Sequence, residues 1–412
     1  MKPANGRPAW LTAPVLTVSV LSVAAGIAQF SVTAAIGDVA ATFGEATNDG
    51  SLAAQVGLPT TTVGVALSLV RLASLASLPA TALADRYGRR SVLLTLAAIG
   101  LGLTSMAAMA PGFWWYVALV ALARPAMSTV NSLAGVVAAE ESTARDRSAA
   151  IALIAAAYGI GSGIISLARG LLPGGPSFRV VSAIALIPLL LLPLLARKVR
   201  EPRIATNLRP VATLPGSVPS MHRRNVMVLG TMTAVTAMAT GPGFTFLFVY
   251  GERILTATPL RMSMLIIAAG PAGLIGLLIG RYGADRLGRR PTAATAMIAT
   301  GIAVAVGYGG GIGAMTVGYL AAIMASSAFA APIGALAAEV VPTSLRATVA
   351  GWMTVASVLG AVTGLNVVGV LGDITGGFAI PAATVAAIVA VTSLGFSLLP
   401  ETRGWELDHL TE

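Results

Sequence analysis

Twelve apolar runs, each bounded by a charge cluster or a Gly/Pro break, leave this chain few folds to choose from. About 20 predominantly apolar residues suffice to cross the hydrocarbon core of a bilayer. Such runs fall near 12–36, 60–83, 91–110, 114–138, 148–171, 178–196, 225–250, 262–282, 291–312, 315–338, 349–371 and 378–399 of the 412 residues. A backbone in lipid must satisfy its own N–H and C=O groups, so each run is read as a helix. The expected fold is an all-α membrane protein of twelve transmembrane helices. With 56% hydrophobic and 10% charged residues, the chain falls far below the roughly one quarter charged that soluble domains carry. The run at 12–36 is too long for the core of a cleaved signal and reads as the first span.

The net charge of +10 follows from where the arginines sit, so nucleic-acid binding is not expected. Arg86, Arg89, Arg90, Arg145, Arg147, Arg286, Arg289, Arg290, Arg346 and Arg403 fall in the loops that share a side with the amino terminus. The first loop on the other side carries Asp38, Glu45 and Asp49 and no basic residue. Positive charge is retained in the cytoplasm. The reading is a multi-pass protein of the cytoplasmic membrane, a cell inner membrane, in contact with the lipid bilayer and with both termini cytoplasmic.

Cys is absent and the two histidines, His222 and His409, lie in the linker and the tail. No phosphate loop or metal-ligand spacing occurs. No cofactor or metal is expected, and neither is catalysis.

The chain repeats itself. Asp85-Arg86-Tyr87-Gly88-Arg89-Arg90 recurs 200 residues on as Asp285-Arg286-Leu287-Gly288-Arg289-Arg290. Glu140 and Arg147 recur as Glu339 and Arg346, and Glu201-Pro202-Arg203 recurs as Glu401-Thr402-Arg403. Three collinear matches imply duplication. The basic, proline-bearing stretch 197–224 reads as a cytoplasmic linker, with a short surface helix, between bundles at 1–196 and 225–412. With six spans each, the halves enter the membrane in the same sense, related by a pseudo-two-fold axis along its normal.

These residues resemble the major facilitator superfamily, whose hallmark is a Gly-x-x-x-Asp-Arg-x-Gly-Arg-Arg loop between spans two and three; here it runs Thr81 to Arg90. Thr81 and Arg281 replace the opening glycine in the two halves. The segment Glu339 to Arg346 and the closing Pro400-Glu401-Thr402-Arg403-Gly404 are similar to those of sugar porters. The resemblance implies a secondary transporter working by alternating access, with the pathway between the halves and with a monomer as its unit. Physically, one carboxylate and three guanidiniums at a helix junction can hold helix ends by charge-assisted bonds that must break as the halves rock. Asp85, Arg86, Gly88, Arg89, Arg90, Glu140 and Arg147 therefore form one conformational latch. Asp285, Arg286, Gly288, Arg289, Arg290, Glu339, Arg346, Glu401 and Arg403 form the other.

Charges inside a span are costly and generally face a cavity. Arg71 lies fourteen residues before Asp85, roughly 21 Å of helix, and Arg124 about ten residues, roughly 15 Å, from the far end of span four. Both come out near mid-membrane. Ser128 and Asn131 extend a polar stripe from Arg124, and Gln29 adds an amide from span one. Two guanidiniums without a nearby carboxylate favour an anion. Arg169 reads as a snorkelling residue at the end of span five.

In the second half, Gly241-Pro242-Gly243 is expected to interrupt span seven beside Phe244, Phe246 and Tyr250, which pack together or gate the site. Ala331-Pro332 is expected to break span ten, and Asn366 is an amide inside span eleven. The acids sit at span ends or in loops, and Asp38 is the coupling candidate, or else a cap. Drug–proton antiporters of the family carry Gly-Pro-x-x-Gly-Gly in span five, where Gly159-Ile160-Gly161-Ser162-Gly163 lacks the proline. The first reading is therefore a carrier of a small organic anion, by facilitated diffusion or proton symport. A multidrug or metabolite exporter, a proton antiporter, comes second and a sugar porter third. A solute sensor of the same fold would be expected to add a domain or long tail, and residues 400–412 are short.

Overall fold

The computed structural model describes residues 12–44, 51–143, 146–171, 177–199, 220–342 and 345–403. Among them all regular structure is helical, and twelve helices are long and apolar enough to cross a membrane. They are α1 (Ala13–Phe43), α2 (Thr60–Ala84), α3 (Arg89–Met109), α4 (Phe113–Glu140), α5 (Ala149–Leu171), α6 (Phe178–Ala196), α7 (His222–Thr245), α8 (Pro259–Arg286), α9 (Arg289–Tyr308), α10 (Ile312–Glu339), α11 (Thr348–Thr375) and α12 (Ala379–Leu398). Glu45, Asp49, Arg145, Glu201, Arg203 and His409, with the expected surface helix of the linker, lie outside the described residues.

Most ends fall where hydropathy puts them, with two exceptions. α1 continues seven residues past 36 and takes in Asp38. The residues after Asp38 are still apolar, and its carboxylate accepts a bond from the backbone N–H of Phe178, at the start of α6, at 2.5 Å. A charge read as the start of a loop is thus a bonded side chain within the helix. At the other exception, α7, helix begins at Ser220, inside the stretch expected to be linker, and ends at Thr245, five residues short of 250, with a π-helical turn over Val249–Ile254 beyond it.

Contacts gather the chain into two compact units, Met1–Phe43 with Leu69–Pro210, and Gly44–Ser68 with Val211–Glu412. In the first, α1 is apolar all round and buried along most of its length, at Val15, Leu21, Ala25, Ala28, Val32 and Val39 among others. It packs on α4 and α5. Small residues allow this: a Cβ added to Gly26 would lie 3.1 Å from Gly161 Cα. Close backbone approach at small residues is the usual source of helix association in lipid, where burial of apolar surface adds little.

In the second unit α7 packs on α11, α8 on α10, and α9 on α10 and α12. The first turns of α2 belong here and are fastened to α11. Asp373 Oδ1 accepts from Thr60 N at 2.7 Å and Oδ2 from Thr61 N at 2.8 Å, capping the amino end of α2. Two turns on, Asn366 Nδ2 donates to Ser68 Oγ at 2.8 Å.

The expected breaks at proline do not occur. Both α7 and α10 run through Pro242 and Pro332 as continuous α-helix. A proline inside a helix strips the carbonyl four residues earlier of its N–H, here those of Met238 and Ala328. Gly364 of α11 is pressed against the Met238 carbonyl and Gly280 of α8 against that of Ala328, so closely that any side chain would collide. Neighbouring glycines thus cover the two carbonyls that the prolines release.

Candidate functional site

Four helices of the first unit bring their polar side chains to one place. Arg71 on α2 is within electrostatic reach of the Arg124 guanidinium on α4 and of Tyr158 on α5. Tyr158 in turn donates its hydroxyl to Gln29 Oε1 on α1 at 3.4 Å. Gln29 is buried. Ser128 follows Arg124 by one turn. Asn131, a further turn along, accepts at Oδ1 from Ser22 Oγ of α1 at 2.6 Å, so it ties α1 to α4.

The two arginines lack, among the described residues, the partners a structural role would give them. Among the described residues, neither guanidinium pairs with a carboxylate, and neither donates to a backbone carbonyl. The Nε of Arg124 is buried with no acceptor. A buried donor without a partner carries its desolvation penalty uncompensated.

Arg71, Arg124 and Gln29 stand out in the sequence as polar groups inside spans, and Tyr158 does not. An aromatic hydroxyl alone in an apolar span carries little signal, and its role emerges only when α5 is laid on α1. Arg169 also corrects the sequence reading: it is 4% exposed, held inside the unit and not snorkelling to the surface.

The second-half candidates sit in packed surroundings. Phe246 and Tyr250 join Tyr308 and Phe378 in an aromatic cluster with ring centroids 4.9 to 5.9 Å apart. Phe246 is fully buried. Tyr250 donates to the Gly310 carbonyl at 2.6 Å, and Tyr308 donates to that of Gly243 at 2.8 Å. Phe244 stacks edge-on against Tyr319. Asn366 is taken up by Ser68. The cluster reads as packing that holds α7 to α9.

Each repeated charge motif is a knot inside its own unit. In the first, Arg89 pairs with Glu140, Arg90 donates to the Ala196 carbonyl at 2.9 Å, and Arg147 Nε donates to that of Ala139 at 3.2 Å. Arg86 lies over the Tyr87 ring. The side chain of Asp85 lies outside the described set. In the second, Arg289 bridges Asp285 at 2.8 Å and Glu339 at 3.4 Å. Arg346 Nε donates to the Ala338 carbonyl at 2.9 Å, and Arg286 lies over Tyr282.

Glu401 completes that second knot. It accepts from Arg289 N at 2.8 Å, Arg290 N at 3.1 Å and Arg403 N at 3.1 Å. Thr402 beside it is buried and donates to Glu339. Gly288 has φ +113°, and a Cβ there would lie 2.7 Å from the Glu401 carboxylate. Partial burial would raise the Glu401 pKa, but the backbone N–H groups outweigh it and hold the carboxyl below its ordinary value of 4.5.

The family model of the Major Facilitator Superfamily matches residues 18–284, and the chain belongs to that superfamily. No curated relative is matched by sequence. In structure the chain is similar to the xylose transporter XylE of E. coli in its inward open conformation, with TM-score 0.74 and 16% identity over 96% of this chain and 98% of that one. It is also similar to a bacterial homologue of the human lysosomal transporter Spinster, with TM-score 0.71 and 14% identity over 95% and 97% of the two chains. The nucleoside transporter NupG gives TM-score 0.69 and 14% identity over 93% and 98%. The fold is that of the superfamily, and the protein is a transporter of some solute.

Proposed function

We propose that this chain carries a small organic anion across the cytoplasmic membrane by alternating access between its halves, 1–196 and 225–412, with both termini in the cytoplasm. The observation that supports this most is the pair Arg71 and Arg124. They are two guanidiniums in one intramembrane cluster, neither bonded to a carboxylate or a carbonyl among the described residues. Arg presents a planar fork of donors that matches a carboxylate or phosphate by paired bonds. Tyr158, Gln29 and Ser128 supply neutral groups for the rest of the solute.

Asp38 serves in this reading as a cap on α6, so proton coupling through it is no part of the proposal. The similarity to xylose and nucleoside transporters speaks for the fold and not for the solute. A neutral sugar would leave both positive charges uncompensated, which is why the sugar reading ranks lower, as does export of lipophilic cations.

The test is the melting temperature of the detergent-purified protein against monocarboxylates, dicarboxylates, sugar phosphates, neutral sugars and lipophilic cations. A ligand at 100 times its Kd adds about 2.7 kcal/mol of stability. Anions are expected to raise the melting temperature, and Arg71→Ala or Arg124→Ala to remove the rise. Stabilisation by lipophilic cations and by no anion would sink the reading and promote the exporter.

A further inference from the structure

We infer that the solute of this site is a dianion, either a compact dicarboxylate or a phosphate monoester, and that a monoanion is discriminated against. The inference rests on the organic-anion reading and deepens it. Thr129 of α4 donates to the Ser77 carbonyl of α2 at 3.5 Å, so the two helices lie side by side, and six residues earlier on α2 and five on α4 they bring Arg71 and Arg124 close enough to repel one another, the more strongly the less water stands between them. Both side chains are only partly buried, so water screens the repulsion until a solute displaces it, and then something else must offset it. Among the described residues no carboxylate does, and Tyr158 and Gln29 are formally neutral.

A single carboxylate has two oxygens, enough for one guanidinium fork. It would leave the second fork without acceptors and the site with one net positive charge. Two carboxylates on a short skeleton, or the three terminal oxygens of a phosphate monoester, serve both forks and bring the site to neutrality. The buried Arg124 Nε, without an acceptor in the protein, marks donor capacity that one carboxylate on Arg71 does not use.

The experiment compares isosteric solutes of different charge at constant ionic strength. Half-saturating concentrations for the rise in melting temperature are measured with succinate and with its monoamide, succinamate, and with glycerol 3-phosphate from pH 5 to pH 8. Succinate is expected to act at a concentration at least tenfold lower than succinamate. The glycerol 3-phosphate affinity is expected to climb with pH as the second phosphate ionisation, near pH 6, is passed. In Arg124→Gln the succinate preference should fall towards one, while Arg124→Lys, which restores the charge, should recover part of it. Arg71→Gln provides the same reading if the first variant does not fold, and the wild-type comparison needs no variant.

Equal affinity for succinate and succinamate, with a pH-independent phosphate response, overturns the dianion inference and leaves the organic-anion reading standing. No response to any of these anions, with a response to neutral or cationic solutes, overturns both.

Discussion

A single carboxylate at the end of the described chain is the most heavily bonded acid in the second charge knot. Glu401 holds the amino end of α9 through Arg289 N and Arg290 N, where helix N–H groups have no partner of their own. Its pKa is lowered on folding, which sets the sign of its contribution. The bonds stabilise the fold fully above the ordinary glutamate value of 4.5 and are lost as pH falls through the lower folded value. Wild type should therefore melt higher than Glu401→Gln at pH 7, and the gap should close as pH drops below 4.5; a gap that persists to pH 3 would show that Glu401 acts by packing. At this scale the sequence was readable where a residue type was out of place. Arg71 and Arg124 stand out because charge is rare inside a span. Tyr158 does not, because a tyrosine in an apolar run is ordinary until its neighbour Gln29 is known. The pairing of Thr402 with Glu339 was equally hidden, since it joins residues 63 apart.

Elements were legible to the extent that hydropathy alone determines them. Span positions follow from the cost of exposing polar backbone to lipid, so the twelve helices could be placed from the sequence. Their interiors could not, since the fate of a proline depends on the helix beside it. In the sequence Pro242 and Pro332 look like breaks, yet the carbonyls they release, at Met238 and Ala328, are covered by Gly364 and Gly280. The lesson is tertiary: a glycine on one helix compensates for a proline on another. This yields a test by substitution. A methyl group at Gly364 or Gly280 collides with backbone, which cannot swing aside as a side chain can, and overpacking of this kind costs about 1–3 kcal/mol. Gly364→Ala and Gly280→Ala are expected to lower the melting temperature clearly. Gly334→Ala, which meets open space on the same helix as Pro332, is expected to change it little. Equal behaviour of all three variants in a thermal melt would mean that the α7–α11 and α8–α10 contacts are looser than described.

For the whole molecule, the location of charge decides what drives transport. The two guanidiniums remain with the protein throughout a cycle, so a dianion that crosses alone carries two negative charges across the membrane each time. Each charge moved through 100 mV is worth about 2.3 kcal/mol, and two such charges correspond to an equilibrium gradient on the order of a thousandfold. No acid of the described set lies in the Arg71–Arg124 cluster to take up protons and cancel that charge. Proteoliposomes carrying the protein, with a potassium gradient and valinomycin to set the potential, should therefore accumulate labelled succinate when the interior is positive and exclude it when the interior is negative. A pH gradient at zero potential should drive little. If accumulation instead follows the pH gradient and ignores the potential, protons travel with the substrate. Asp38, whose carboxylate here caps α6, would then have to be examined as the group that releases its backbone partner to bind them.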